Sequence, residues 1–290
     1  MKEKVLVFSH EFPPQQGGEG TYAYELAFGL NKLSYEVYVL AGNTFSKNLN
    51  SNSIDTDLRE KNIRINRYDW IKKNRLWFIS WKKIFTKYLE ENGPFDFIFF
   101  ANFTSCAIGH KIRSDTIPPY SITLHGDDID YYFTSKKIKS LILINKVKIK
   151  KFFKNAKKII CVSMFTKKKL LNVMPFGAEP VVIHHGIEPK NINLIQSSAS
   201  SLEKLTKINN QIDQDKTILV YVSRLESMKG QEKLIYLLSK QSELAKKTHT
   251  IFIGGGSKYK YLKDLVHKNG ISNKVTFTGE IPRGDVLKYI

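Results

Sequence analysis

Residues 4–40 read KVLVFSHEFPPQQGGEGTYAYELAFGLNKLSYEVYVL, and the fold is decided by how this stretch is read. Val5–Phe8 is apolar at successive positions. Pro13, Pro14, Gly17 and Gly18 then break the pattern, a helical periodicity runs over about 20–33, and Val37–Leu40 is again continuously apolar. A strand apolar on both sides is buried on both sides, as strands of a helix-covered parallel sheet are. The stretch is therefore a β-α-β unit. Further strand-like runs follow at Ile63–Ile65, Phe97–Phe100, Ser121–Leu124, Ile159–Val162 and Val181–Ile183. Helical patterns at about 76–91, 104–112, 136–156 and 164–173 separate most of them. This alternation predicts an α/β protein built on a doubly wound open sheet.

Between Ile187 and Asp215 the chain turns Asn-, Ser- and Gln-rich and reads as a linker, with one short helix near Leu202–Ile208. The rhythm restarts with Thr217–Val222, a helix over about 231–246, Thr250–Ile253, a helix over about 258–268 and Lys274–Phe277; another helix begins at Gly284. The expected organisation is a domain at 1–186, a linker at 187–215 and a second domain at 216–290. Only 75 residues follow the linker, fewer than the roughly 100–150 of an ordinary domain. The last helix also lacks a stop signal, so the second domain is expected to be truncated.

The chain has 290 residues, 42% of them apolar and 25% charged, which excludes disorder and fibrous repeats. Two cysteines, Cys106 and Cys161, make no disulfide framework and suit a reducing compartment. No apolar run approaches the roughly 18 residues of a membrane span, and Val5–Phe8 is too short for a signal peptide. The expected location is cytoplasmic. Lys and Arg number 46 against 27 Asp and Glu, a net charge of +19. Thirteen lysines and no acidic residue lie between Tyr131 and Ala178, while Lys72 to Lys87 interleave with Trp77, Phe78, Trp81 and Phe85. One reading is lysines solvating the outer faces of amphipathic helices, since Ile138, Leu141, Ile149, Phe152 and Phe153 recur at helical spacing. The other is an anionic partner. An anionic membrane surface is favoured over nucleic acid, for which no binding motif is present.

Ligands of open parallel sheets bind at the carboxyl ends of strands. After the first strand, Gly17 and Gly18 let backbone approach a ligand at a helix start suited to phosphate, or simply make a tight turn. After Ser121–Leu124 comes His125-Gly126-Asp127, with Asp128 and Asp130 as a weak alternative pair for a divalent cation. After Thr217–Val222 come Ser223, Arg224 and Lys229: a planar fork and a point charge where basic side chains have no packing purpose. Gly254-Gly255-Gly256 and Gly279–Pro282 follow the next two strands.

Taken together, these residues resemble glycosyltransferase family 4, retaining enzymes of GT-B fold, along nearly the whole chain. The resemblance lies in Phe12-Pro13-Pro14 to Gly18, His125-Gly126-Asp127, Val162-Ser163 to Thr166, His184-His185-Gly186-Ile187, Ser223-Arg224-Leu225 to Lys229-Gly230, Gly254-Gly255-Gly256 and Thr276-Phe277-Thr278-Gly279. It implies two Rossmann-like domains facing across a cleft and transfer of a sugar from a nucleoside-diphosphate sugar to a glycan or lipid-linked acceptor. The pathway implied is cell-surface polysaccharide or lipopolysaccharide synthesis, on the inner face of the cytoplasmic membrane. It also implies catalytic roles for His125, Arg224 and Lys229, donor binding at Gly17, Gly18, Ser223, Gly254 and Ile281, and neither metal nor cofactor. His185 stands where the family usually has Asn, and Ser223 where it usually has Gly. The family's Glu-x7-Glu motif would fall beyond Ile290, leaving an inactive fragment or a non-catalytic membrane-binding protein on the same fold as the alternative. An epimerase or hydrolase on a related scaffold is a third expectation.

Overall fold

The computed structural model describes residues 2–15, 17–43, 52–69, 77–113, 115–134, 145–175, 179–186, 216–281 and 286. The chain divides into two compact units, 1–186 and 187–290. The linker expected at 187–215, with its short helix, lies outside the described residues, as does all but Val286 of the helix expected from Gly284.

The first unit holds a seven-stranded sheet, every pair parallel, in the order β3-β2-β1-β4-β5-β6-β7. Its strands are β1 (Lys4–Ser9), β2 (Glu36–Gly42), β3 (Arg64–Tyr68), β4 (Phe97–Phe100), β5 (Tyr120–Leu124), β6 (Lys158–Cys161) and β7 (Val181–Val182). Alternate residues of β1 feed opposite layers. Val5 and Val7 pack with Ala23, Ala27, Val37, Val39 and Leu58; Leu6 and Phe8 pack with Trp81, Phe85, Phe100 and Ile122. The first layer is covered by α1 (Gly18–Lys32) and α2 (Asn52–Glu60), the second by α3 (Trp77–Asn92), α4 (Phe103–Gly109), α5 (Lys146–Asn155) and α6 (Met164–Val173). Because β1 lies between β2 and β4, successive connections leave it in opposite directions, and a crevice opens beyond the carboxyl ends of β1 and β4.

Two differences from the sequence expectation have physical causes, and one expected helix lies partly outside the described residues. Helix α2 offers only Ile54 and Leu58 as apolar residues, too few to mark a helical period in the sequence; it forms because Leu58 enters the core and Asp55 meets Arg67. The helix expected over 136–156 is described from Lys146, residues 135–144 being outside the description. Trp81 and Phe85, which sit among lysines as interfacial rings would, are fully buried, Phe85 stacking on Phe8 at 4.6 Å. Neither ring is available to a membrane surface.

In the second unit, β8 (Thr217–Val222), β9 (Thr248–Ile253) and β10 (Val275–Gly279) form a parallel sheet in the order β10-β9-β8. Leu225, Ile235, Leu238, Phe252, Leu262 and Val266 make its core with α7 (Gln231–Lys240) and α9 (Tyr259–Lys268). The single helix expected over 231–246 is two, α7 and α8 (Ser242–Lys247), because Gln241 leaves the helical region at φ −103° and ψ 82°.

Candidate active site

In the first unit the crevice is shaped by buried polar groups at the ends of β1 and β4. Asn102 caps α4 through Ser105, donates to Ser9 Oγ at 3.0 Å, and Ser9 donates in turn to the Glu11 carbonyl at 2.5 Å. The proline turn that follows is held by Arg67, whose Nη2 donates to the Pro13 carbonyl at 2.5 Å while Nε and Nη2 grip Asp55 at 2.7–3.0 Å. Gly17, in extended backbone, caps α1 without a side chain, and its carbonyl accepts from Thr21. A Cβ on Gly17 would fall 1.2 Å from Glu11 Oε1, whereas one on Gly18 would meet nothing within 4 Å. Gly18 thus opens α1 beside free space, with first-turn amides that have no helical acceptor.

His125 follows β5 and joins this edge through Tyr22, four residues into α1 beyond Gly18. The rings of Tyr22 and His125 are 5.2 Å apart, Tyr22 and His185 4.9 Å, and His125 and His185 5.4 Å. Tyr22 also hydrogen-bonds Thr123 at 3.0 Å. His125 Nε2 lies 2.9 Å from the Ala101 carbonyl. A carbonyl only accepts, so Nε2 carries a proton and Nδ1 is left for other work. Burial and the neighbouring His125 lower the His185 pKa, and burial raises that of the Tyr22 phenol. Asp128 turns inward, accepting from the amides of His125, Gly126 and Ile129 at 2.9–3.1 Å; burial raises its carboxyl against those donors. Asp130 pairs with Lys169 at 2.6 Å. Those engagements displace the reading of Asp128 and Asp130 as a cation pair. Among the described residues no group of three His, Cys, Asp or Glu is placed to hold a metal ion. Cys106 and Cys161 are buried free thiols, both with pKa raised by burial.

The second unit supplies the loop Ser223–Gly230 between β8 and α7. Arg224 and Lys229 are exposed on it, while its backbone is pinned on several sides. Leu225 N–H donates to the Gly255 carbonyl at 2.8 Å, Tyr221 donates to the Lys229 carbonyl, and Glu226 accepts from Ser257 N–H and Oγ at 3.1 and 2.7 Å. These last bonds hold the Glu226 carboxyl below its ordinary pKa, helped by Arg224 and Lys258. Gly254, at φ +135°, lies so close that a Cβ would sit 2.1 Å from the Ser223 carbonyl. The glycines after β9 therefore have a packing reason: they let one loop's backbone close on the other's. Ile281 packs with Ile251 and Ile253.

Sequence reasoning placed Gly17, Gly18 and His125 on one edge, and Ser223, Arg224, Lys229 and Gly254 on another. It missed Tyr22, Arg67 and Gln231, and noted His185 only as a departure. The one local signal for Tyr22 is its spacing of four from Gly18, on the inward face of a helix.

The profile described as Glycosyltransferase Family 4 matches residues 16–191, and that described as Glycosyl transferases group 1 matches residues 203–290. The chain belongs to glycosyltransferase family 4. An uncharacterized glycosyltransferase of Methanocaldococcus jannaschii is 24% identical to it over 302 residues, covering 99% of this chain and 72% of that protein. Sucrose-phosphate synthase of Thermosynechococcus elongatus matches at TM-score 0.75 and 19% identity, over 99% of this chain and 73% of the other. Anabaena HepE in complex with UDP-glucose matches at TM-score 0.67 and 19% identity, over 98% and 70%. At such identities the likeness shows the fold, the parallel-sheet α/β architecture of GT-B glycosyltransferases. In this family 4 glycosyltransferase both departures from the family pattern make contacts of their own: His185 stacks on Tyr22, and Ser223 Oγ accepts from Gln231 at 2.8 Å.

Proposed function

We propose that the enzyme transfers a sugar, with retention at the anomeric carbon and without a metal ion, from a nucleoside-diphosphate sugar to a glycan or lipid-linked acceptor. Synthesis of a cell-surface polysaccharide or lipopolysaccharide is the setting that suits such an acceptor. The observation that carries the reading is the braced loop with two exposed cations, Arg224 and Lys229, neither in an ion pair among the described residues. As the bond from the anomeric carbon to the diphosphate oxygen breaks, negative charge grows on the diphosphate. The guanidinium fork and the ammonium meet that charge without reorganising. The acceptor oxygen bonds to the same carbon, and its proton passes to the departing phosphate oxygen. Within the first unit, Gly17 and Gly18 are assigned to backbone binding of diphosphate or acceptor and His125 to the donor sugar. Within the second, Ser223, Gly254 and Ile281 are assigned to donor binding.

UDP-glucose is the first donor to assay, since HepE is described in complex with it. Arg224→Ala and Lys229→Ala are each expected to lower turnover by about 100-fold or more, the scale of losing one preorganised donor. Unchanged turnover in both would remove the leaving-group role, and loss of activity in excess chelator would overturn metal independence.

A cytoplasmic, membrane-peripheral location is supported by α5, where Lys148, Lys150, Lys151 and Lys154 are exposed while Ile149, Phe152 and Phe153 are buried. None of the described helices is long and apolar enough to cross a membrane. Cosedimentation with anionic vesicles should weaken as salt rises. A chain that binds vesicles but no nucleotide sugar would instead be the non-catalytic protein.

A further inference from the structure

Gln231, the first residue of α7, is 2% exposed, a polar side chain buried at a helix start. Its amide nitrogen lies 2.9 Å from the Arg224 carbonyl and 2.8 Å from Ser223 Oγ. A carbonyl only accepts, so the group facing Arg224 is the amide NH2, which has two hydrogens and no acceptor capacity. One hydrogen goes to each partner. Ser223 is therefore forced to accept, and its own hydroxyl hydrogen must be donated elsewhere. Among the described residues it has no acceptor, although the Ser223 side chain is only half-buried. The backbone beneath it is fixed too: Ser223 N–H donates to the Ile253 carbonyl at 3.1 Å, and Gly254 lies against the Ser223 carbonyl.

We infer that Ser223 donates a hydrogen bond to the diphosphate of the donor, and that Gln231 is the positioning residue that makes it a donor while setting the Arg224 peptide. This deepens the proposed function and rests on its placing of the diphosphate at Arg224 and Lys229. A phosphate oxygen is the acceptor that suits the Ser223 hydroxyl: anionic, able to take several donors at once, and within the charge of two cations on the same loop.

The test is calorimetric binding of UDP, GDP and ADP to the full chain, in five forms: wild type, Ser223→Ala, Ser223→Thr, Gln231→Glu and Arg224→Ala. The far-ultraviolet spectrum of each form is taken as a check of folding. Ser223→Ala is expected to weaken the preferred nucleotide by about tenfold, the scale of one hydrogen bond to a charged group. Ser223→Thr keeps the hydroxyl and should bind within about threefold of wild type. Gln231→Glu presents an acceptor where a donor stood, turns the serine hydrogen inward, and should weaken binding at least as much as Ser223→Ala in a folded protein. If Ser223→Ala binds as wild type does while Arg224→Ala has lost binding, the inference is overturned and the diphosphate site stands. If Arg224→Ala also binds unchanged, or no nucleotide binds the wild type, both fall together. Loss in Ser223→Ala that Ser223→Thr fails to restore would assign the effect to packing and overturn the inference as well.

Discussion

Replacing Arg67 by Met should unfold the first unit far more readily than any surface change on the same face. The Arg67 side chain is 6% exposed and that of Asp55 12%, and three N···O contacts of 2.7–3.0 Å join them. Arg67→Met leaves the Asp55 carboxylate buried without its cation, and breaking a buried pair from one side costs about 3–5 kcal/mol. The Pro13 carbonyl also loses its donor, which adds about 1 kcal/mol. By contrast Asp57 on α2 and Lys61 just past its end, an i, i+4 pair, are about two-fifths exposed each, and such pairs contribute less than about 1 kcal/mol.

The assay is urea unfolding followed by tryptophan fluorescence, which reports the first unit alone because Trp70, Trp77 and Trp81 all lie in it. At a slope of about 2 kcal/mol per molar urea, a loss of about 4–6 kcal/mol lowers the midpoint by about 2–3 M. Asp57→Ala should move it by less than about 0.5 M on the same slope. The double variant Asp55→Leu/Arg67→Met removes both charges and should recover most of the loss, since apolar replacement of a buried pair is near neutral. An Arg67→Met midpoint no lower than that of Asp57→Ala would refute the reasoning, as would additive losses in the double variant.

Acid should destabilise the fold through His10 and His110, whose pKa values burial lowers to about 4. The unfolded chain protonates near 6.5 and so binds the proton first; stability is complete above about pH 6.5 and is lost as pH falls toward 4, by roughly 3 kcal/mol for each histidine. Urea midpoints that stay flat from pH 7 to 4.5 would contradict this, as would a profile unaltered in His110→Gln. Gly109→Ala places a Cβ 2.6–2.8 Å from the Phe100 and Phe152 rings, so a loss of about 1–3 kcal/mol is expected; a wild-type thermal midpoint would show that the rings can retreat. Gly18→Ala meets nothing within 4 Å and should leave the midpoint unchanged while raising KM for donor or acceptor. Unaltered kinetics would take Gly18 out of the site.

The strands were legible because parallel strands covered on both sides must be apolar at every position, as Val5–Phe8 and Phe97–Phe100 are. Helix α2 was not legible because its stability is tertiary: a polar segment helical by virtue of one leucine in the core and one carboxylate on Arg67. Trp81 and Phe85 misled for a related reason, since alternation of lysine and aromatic residues is the same pattern whether the aromatic stripe faces lipid or a sheet. In the first unit Gly18 and His125, and in the second Arg224 and Lys229, were readable as candidates because each follows a strand. Tyr22 and Gln231 were not, because Tyr22 finds Thr123 from 101 residues away and Gln231 acts through a backbone carbonyl. Neither kind of partner leaves a trace in spacing.

Arg67 and Gln231 solve the same problem in the two units. Each is a polar side chain taken almost wholly from water, and each is satisfied by the carbonyl of a loop that leaves the carboxyl end of a strand, Pro13 after β1 and Arg224 after β8. Burial of such groups is tolerated only while their hydrogen bonds are made. A loop that swung away would take one hydrogen bond from Arg67, which Asp55 still pairs, and would leave the Gln231 amide without either acceptor, at a cost of about 1 kcal/mol in the first unit and about 1–3 kcal/mol in the second. The conformation of both loops is thereby coupled to the stability of the cores beneath them. A donor's diphosphate would then meet Arg224 and Ser223 on backbone already set at the time of folding.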